Sequence, residues 1–423
     1  MKVIKVIGLL QIAKLFELLI PIVAIPVVIK NIGLSEFGVI TKILACSAYC
    51  VMIGEWGFNT NLVSFLKLKR ERTKILFLVF IDVIKIRVIY SLLVAIVMLT
   101  LVLFDCLDAL IAIVITLWII ANIFQCRWYF QATDKLVSYT IVSMMSKLGT
   151  LWYVFFIMDE NSIKESYLIS LALPMLFVSF FCNLYAFRML YTKCKVNLFS
   201  FCLDFKILFY EGWNLISSRV ISNLFNPTII YLTANLYSNE VVGILGIFQK
   251  IGTGVVAILT PINEVIYPRL AGLYVPNNSE YKKIFLYQLS ALAAAFTLFL
   301  LFFNIIENQV FSYFNIDSEI ETIVTFYIYS ITILTNLMNM AFVNALVIKT
   351  RTRRISLISM TSVIIAIITF YFFTSRTSSG LILIALTYVI QQVLSLFFVI
   401  LYYNRDKRFE YDIKLNKGAE DEK

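Results

Sequence analysis

Histidine is absent from this 423-residue chain. That removes the commonest metal ligand, the usual general base and any imidazole proton relay. Charge is sparse as well: Asp, Glu, Lys and Arg make up 15% of the residues, against about 25% in a soluble domain. No GxxxxGKS/T phosphate loop occurs, so no ATPase motor is encoded here. TVGYG is missing, which excludes a potassium filter. The seven cysteines are Cys46, Cys50, Cys106, Cys126, Cys182, Cys194 and Cys202. Their number is odd, none forms a CxxC, and most lie in apolar runs. They read as small packing residues, neither a disulfide framework nor a metal site.

What the chain has in excess is apolar surface. Hydrophobic residues reach 61% and the mean hydropathy is +0.88. A soluble fold of any size still needs a polar skin, and here the apolar residues run from Val3 to Tyr403 without concentrating in one anchor. Strands of a transmembrane barrel would alternate in polarity over about 10 residues. These runs are longer and do not alternate. The expected fold class is therefore an all-α polytopic membrane protein. Lys and Arg number 36 against 26 Asp and Glu, a net charge of +10. The positives flank apolar runs, so membrane topology accounts for them and no nucleic acid partner is expected.

A spanning helix takes about 20 mainly apolar residues. Twelve such runs can be drawn, at 7–30, 38–66, 75–104, 107–131, 136–158, 166–190, 207–236, 240–270, 283–306, 319–348, 355–375 and 380–403. The first follows Lys2 and Lys5 but is interrupted by Lys14 and Glu17 and lacks a small-residue cleavage pattern. It is predicted to span rather than to be a signal peptide. With the N-terminus in the cytoplasm, 26 basic residues outside the spans are cytoplasmic and three, Lys30, Lys164 and Arg376, lie opposite. The excess of positives places both termini in the cytoplasm. The spans divide into a six-helix lobe over 1–200, a second over 201–404, and a polar tail over 405–423 expected to be disordered.

An internal repeat supports that division. Asn31-Ile32-Gly33-Leu34-Ser35-Glu36-Phe37-Gly38-Val39-Ile40 and Asn235-Leu236-Tyr237-Ser238-Asn239-Glu240-Val241-Val242-Gly243-Ile244 share Asn, Ser, Glu and Gly in order. The asparagines are 204 residues apart and the glycines 205. Pro26 and Pro227 precede the two turns. Two six-span halves share one orientation, the parallel-repeat plan of some secondary transporters, in which the substrate site lies between the halves. The competing explanation is a chance match of turn residues.

The same residues carry a family resemblance. Leu9-Leu10-Gln11-Ile12, then Ile20-Pro21-Ile22-Val23-Ala24-Ile25-Pro26, then Gly33 to Gly38 resemble the opening of the Wzx-type O-antigen flippases. Glu55-Trp56-Gly57-Phe58-Asn59 is similar to that family's acidic residue before Gly-Phe, and Arg127-Trp128-Tyr129-Phe130-Gln131 to its Trp-Phe-Gln motif. Ser238 to Gly243 and Pro261-Ile262-Asn263-Glu264-Val265-Ile266-Tyr267-Pro268-Arg269 resemble its seventh and eighth helices. The likeness is good over roughly the first 275 residues and beyond them is mainly one of hydropathy. It implies a fold related to the multidrug and toxin extrusion (MATE-like) transporters. It also implies transport of undecaprenyl-diphosphate-linked sugar repeat units across the bacterial inner membrane by alternating access. The implied partners are lipid-linked oligosaccharide, membrane lipid, and the polymerase and chain-length proteins of surface polysaccharide assembly. No cofactor and no enzymatic activity are implied.

Charges inside the spans are the candidate site, because each costs about 2.5–3.5 kcal/mol at a span centre and must face protein or water. The basic ones are Lys14, Lys42, Lys85, Arg87, Lys147, Arg219 and Lys250; the acidic ones are Glu17, Glu55, Asp82, Glu211 and Glu264. Lys14 with Glu17, and Asp82 with Lys85, can pair along one helix face. Lys85 and Arg87 are also placed to snorkel toward the cytoplasm. Lys42, Lys147, Arg219 and Lys250 have no acid three or four residues away. Each requires an interhelical acid, water or an anionic ligand such as a diphosphate. Glu55 and Glu264, in equivalent spans of the repeat, are candidates either for carrying a proton in low dielectric or for a fixed interlobe salt bridge. Pro21, Pro26, Pro227 and Pro261 are candidate hinges or static kinks.

Three functions compete. A cation-coupled drug antiporter of the same fold would favour more acid than base in its spans, whereas here seven basic residues stand against five acidic. A polysaccharide polymerase would show a long external loop or a clustered carboxylate pair, and neither is visible. A flippase for lipid-linked oligosaccharide is the reading that remains first.

Overall fold

The computed structural model describes residues 2–55, 72–133, 135–158, 163–192, 223–273, 279–317, 319–348, 355–374 and 380–420. Within them the chain forms helices and no strand. In order these are α1 (Lys2–Glu55), α2 (Arg72–Leu103), α3 (Ala109–Ile123), α4 (Arg127–Ala132), α5 (Leu136–Phe156), α6 (Ile163–Tyr191), α7 (223–236), α8 (Asn239–Gly272), α9 (Ser279–Tyr313), α10 (Ile320–Ile348), α11 (Ile355–Thr374) and α12 (Gly380–Glu420). Among the described residues, nine helices are long and apolar enough to cross a bilayer. Leu92, Leu93 and Ile96 on α2 and Leu298, Leu301, Phe302 and Ile305 on α9 are all more than half exposed. Water would not tolerate such continuous apolar faces; lipid does.

Two boundaries differ from those read in the sequence, and the first is kept: α1 is two helical limbs that meet at a kink between runs one and two, at Gly33, whose φ is 81 and ψ 164. That backbone region is essentially glycine-only. The run at 107–131 is broken into α3 and α4 at Phe124–Cys126. The polar tail does not leave the helix at Arg405: α12 continues to Glu420. Beyond Arg405 no Pro or Gly interrupts the sequence before Gly418.

The helices form two compact units, Met1–Gly246 and Ile247–Lys423. In the first, α6 packs along α3 and α5, and α1 packs on α5 and α3. Its core joins Phe77, Phe80 and Val83 of α2 to Cys126, Trp128, Tyr129 and Phe130 around α4 and to Cys182 and Ala186 of α6. The rings meet edge to face, as between Tyr129 and Phe130 at 5.3 Å, or stacked, as between Phe130 and Tyr185 at 5.9 Å, the arrangements aromatic quadrupoles favour. Gly54 permits the junction of three helices: a side-chain carbon there would come within 2.7 Å of Ile123 and 2.8 Å of Tyr90. α7 belongs to this unit because it binds α1, through Tyr49 Oη and Thr228 Oγ1 at 2.6 Å and through Lys42 Nζ donating to Asn235 Oδ1 at 3.1 Å. The packing boundary thus follows these contacts, whereas the boundary near residue 200 follows the sequence repeat.

In the second unit, α12 lies along α10 and α11. Phe303 stacks on Phe326 with ring centres 4.1 Å apart, and Phe248 meets Phe326 edge-on at 5.1 Å. Amides tie the helices. Gln288 Nε2 donates to Asn263 Oδ1 at 2.6 Å, and Asn263 Nδ2 donates to the Leu337 carbonyl at 3.3 Å. Gln249 Nε2 donates to Tyr388 Oη at 2.7 Å and Asn339 Nδ2 to Ser395 Oγ at 3.0 Å. Between membrane helices such bonds do the orienting that hydrophobicity cannot, since lipid tails are as apolar as the core.

Candidate functional site

The break between α3 and α4 organises the charges of the first unit. Where a helix ends inside a membrane, its freed carbonyls must find donors within the protein. Ser179 Oγ donates to the Ala121 carbonyl at 2.6 Å, Asn183 Nδ2 to the Phe124 carbonyl at 2.6 Å, and Arg87 Nη1 to the Gln125 carbonyl at 3.1 Å. The Gln125 side chain accepts from Tyr139 Oη at 3.0 Å and donates to Asn122 Oδ1 at 3.3 Å.

Arg87 therefore does not snorkel. It sits near the middle of the apolar segment Leu76–Leu103 and is 1% exposed. Its Nε and Nη2 have no hydrogen-bond partner among the described residues. Glu55, half-buried at the described end of α1, lies in the electrostatic field of Arg87 and of Arg127, the first residue of α4. The expected Asp82–Lys85 pair is present at 4.0 Å, with Asp82 buried.

The remaining candidates divide between several helices. Lys42 is held by Asn235 and lies 5.9 Å from the Tyr231 ring centre, a cation–π distance. A neutral amide and an aromatic face thus meet a cation for which only an acid, water or a ligand had been expected. Lys147 on α5 is half-buried. Lys250, Thr253 and Glu264 are exposed on α8, at spacings that put them on one side of the helix with Gly243 and Gly246. Arg219 and Glu211 lie outside the described residues, as do the side chains of Lys14, Glu17 and Pro21. The backbone stays helical through Pro26, Pro227 and Pro261, with Pro26 and Pro227 buried.

Sequence reasoning missed Asn122, Gln125, Ser179, Asn183 and the capping part of Arg87. A signal was available: Asn122 and Gln125 are isolated amides near the end of an apolar run, and Asn183 is another. Ser179→Ala leaves the Ala121 carbonyl without its donor and should lower stability by about 1 kcal/mol. Ser290→Ala, which removes only an exposed bond to its own helix, should stay within about 0.5 kcal/mol. Thermal midpoints of the purified proteins in one detergent test this; equal midpoints would remove the capping role.

Comparison with known proteins agrees with this architecture. The family model described as "Polysaccharide biosynthesis protein" matches residues 3–274, ending where the sequence resemblance fades. A relative from Escherichia coli (strain K12), named "Putative O-antigen transporter", is 24% identical over 319 residues, which is 67% of this chain and 69% of the relative. An inward-facing multidrug resistance MATE family transporter of the MOP superfamily superposes with a TM-score of 0.63 at 11% identity, over 94% of both chains. The lipid II flippase MurJ, in an inward closed conformation, gives a TM-score of 0.63 at 13% identity, over 92% of this chain and 87% of that one. The fold is thus MATE-like, and this multi-pass membrane protein belongs to the polysaccharide biosynthesis protein family.

Proposed function

We propose that the protein is a flippase that moves an undecaprenyl-diphosphate-linked oligosaccharide from the cytoplasmic to the periplasmic leaflet of the bacterial inner membrane by alternating access. Family membership over residues 3–274 carries this reading, and the relative named for O-antigen transport supports it. The charge balance of the spans, seven basic residues to five acidic, suits an anionic head better than a cationic drug. A diphosphate offers charge and several strong acceptors to Arg and Lys. Exposed Lys250 and half-buried Lys147, with Arg219, are the proposed contacts. Polymerase and chain-length proteins are the proposed partners downstream.

The proposed topology has twelve spans and both termini in the cytoplasm, from the 26-to-3 asymmetry of basic residues. Reporter fusions after Lys74, Lys206 and Arg354 should read cytoplasmic, and those after Asp105, Asp159 and Asp317 external. One well-expressed fusion reading the opposite side would break the span map.

Loss of the gene should leave undecaprenyl-linked repeat units on the cytoplasmic side and abolish long surface polysaccharide. Unchanged surface glycan in a strain with no second flippase would falsify the reading, and drug sensitivity alone would favour an antiporter.

Removing one charge-assisted contact costs about 1.5–3 kcal/mol, roughly ten- to more than a hundred-fold in binding. Arg219→Ala should therefore impair export at native expression levels, and Arg219→Lys should rescue only in part, because it keeps the charge and loses the two-pronged fork. Full export by Arg219→Ala, or recovery when Glu55→Gln or Glu264→Gln is added, would show that Arg219 serves a salt bridge and not the substrate.

A further inference from the structure

Three pairs of repeat-related residues meet in the first unit. At the 205-residue spacing of the repeat glycines, Leu34, Gly38 and Thr41 of α1 correspond to Asn239, Gly243 and Gly246 of α8, and all six lie within Met1–Gly246. A side-chain carbon on Gly38 would overlap the carbonyl oxygen of Asn239 and stand 3.1 Å from the amide nitrogen of Gly243. A side-chain carbon on Gly243 would stand 2.6 Å from the carbonyl oxygen of Leu34. These are one contact made twice: each glycine lies against the carbonyl one turn before its counterpart. The third pair touches itself, since a Cβ on Gly246 would be 3.6 Å from the Cβ of Thr41. Contacts at equal positions in the two copies require the second limb of α1 and the start of α8 to run parallel, related by a local two-fold axis along the helices.

The chemistry of this junction is that of a contact made to part. Backbone lies against backbone, and the carbonyls of Leu34 and Asn239 sit in helical segments, so their ladder bonds do not depend on the opposing glycine. Separation would leave no buried polar group orphaned, unlike separation at the α3–α4 break. Close approach of glycines gives dense van der Waals packing and excludes water. Phe37, Ile40, Val242 and Leu245, next to the contact residues, are buried. One turn past Gly246, on the same side of α8, the exposed polar series of Lys250, Thr253 and Glu264 begins.

We propose that this doubled glycine contact is a reversible seal, closed in this structure and parted in a second working state, when the polar side of α8 becomes reachable from that end. Its consequence for export rests on the flippase reading; the contact itself does not. The seal tolerates no side chain at Gly38, because the opposing atoms are backbone and cannot rotate away, and it is little more tolerant at Gly243.

A disulfide tests it. The 3.6 Å between Cβ positions 41 and 246 falls within the roughly 3.5–4.5 Å that a disulfide spans. In the chain with all seven native cysteines replaced by Ala, Thr41→Cys with Gly246→Cys should cross-link in membranes on oxidation with copper phenanthroline. Export should stop in proportion to the cross-linked fraction and return with dithiothreitol. Adding Gly38→Ala should slow cross-linking several-fold, and it should raise labelling of a single Thr41→Cys by a membrane-impermeant maleimide several-fold. Gly243→Ala should do the same to a smaller degree. Full export by completely cross-linked protein would overturn the seal, as would cross-linking and labelling rates unchanged by both glycine variants. If the reduced cysteine pair exports no lipid-linked saccharide while the wild-type chain is equally inactive, the flippase reading fails, and the cross-linking and labelling rates still judge the seal. Should Gly38→Ala not accumulate in the membrane, the disulfide arm decides alone.

Discussion

A peptide carbonyl inside a bilayer must be paired, and the first unit is built around the place where the helix ladder cannot do it. Between α3 and α4, three carbonyls lose their in-helix donors and receive them from α2 and α6, through Arg87, Ser179 and Asn183. The three bonds fix α2, α3 and α6 against one another, and the aromatic residues Trp128, Tyr129 and Phe130 follow into the core that they share with α2 and α6. The same bond holds a permanent charge near the middle of the apolar segment Leu76–Leu103. A guanidinium enclosed to 1% exposure is costly unless its field is answered, and Glu55 lies within that field. Arg127, the first residue of the motif at Arg127–Gln131, and Arg87, far apart in the sequence, in this way act on one acid, Glu55.

α8 carries two chemistries on adjoining sides. Asn263 is wholly buried and is bonded to Gln288 on α9 and to the Leu337 carbonyl on α10, whereas Glu264, the next residue, is exposed. Successive residues on a helix are about 100° apart, so pinning Asn263 sets the rotation of the helix and with it the direction of Glu264. The Gln249–Tyr388 bond does the same one residue before the exposed Lys250. Lys250 and Glu264 thus each follow a hydrogen-bonded amide that fixes their bearing. A helix held only by apolar packing against lipid-like neighbours would have no comparable restraint on rotation.

Much of this was legible in the sequence, and the rest was hidden for a physical reason. Apolar length and the scarcity of charge gave a helical membrane protein, and the Asp82–Lys85 spacing gave the pair observed at 4.0 Å. Which side of each helix is buried could not be read, because in lipid both the core and the outer face are apolar: Phe80 is enclosed and Leu92 exposed on the same helix. The break at Phe124–Cys126 was hidden because its donors come from far along the chain, 38 residues away for Arg87 and 58 for Ser179. Local spacing made Arg87 a candidate for snorkelling; only the tertiary fold shows the carbonyl that holds it. The continuation of α12 past Arg405 was misjudged by composition, since charged residues without Gly or Pro are compatible with helix as well as with disorder.

The one-residue slip in the repeat has a structural cause. The matched asparagines are 204 residues apart and the matched glycines 205, so the second segment is one residue longer between them. In the first copy Gly33 turns the chain alone, at φ 81 and ψ 164, and helix resumes at Leu34. In the second copy no glycine stands at the turn. Tyr237 and Ser238 carry the chain out of α7 and into α8, with the Tyr237 amide donating back to the Thr233 carbonyl at 2.8 Å. A backbone conformation open only to glycine makes the tighter turn possible, and a copy without it takes one residue more. The extra residue is absorbed before Asn239, so Leu34 with Asn239, Gly38 with Gly243 and Thr41 with Gly246 keep a constant spacing of 205. Those are the residues that meet. The two turns differ in length and composition, whereas each glycine one turn beyond lies against the backbone of the other segment.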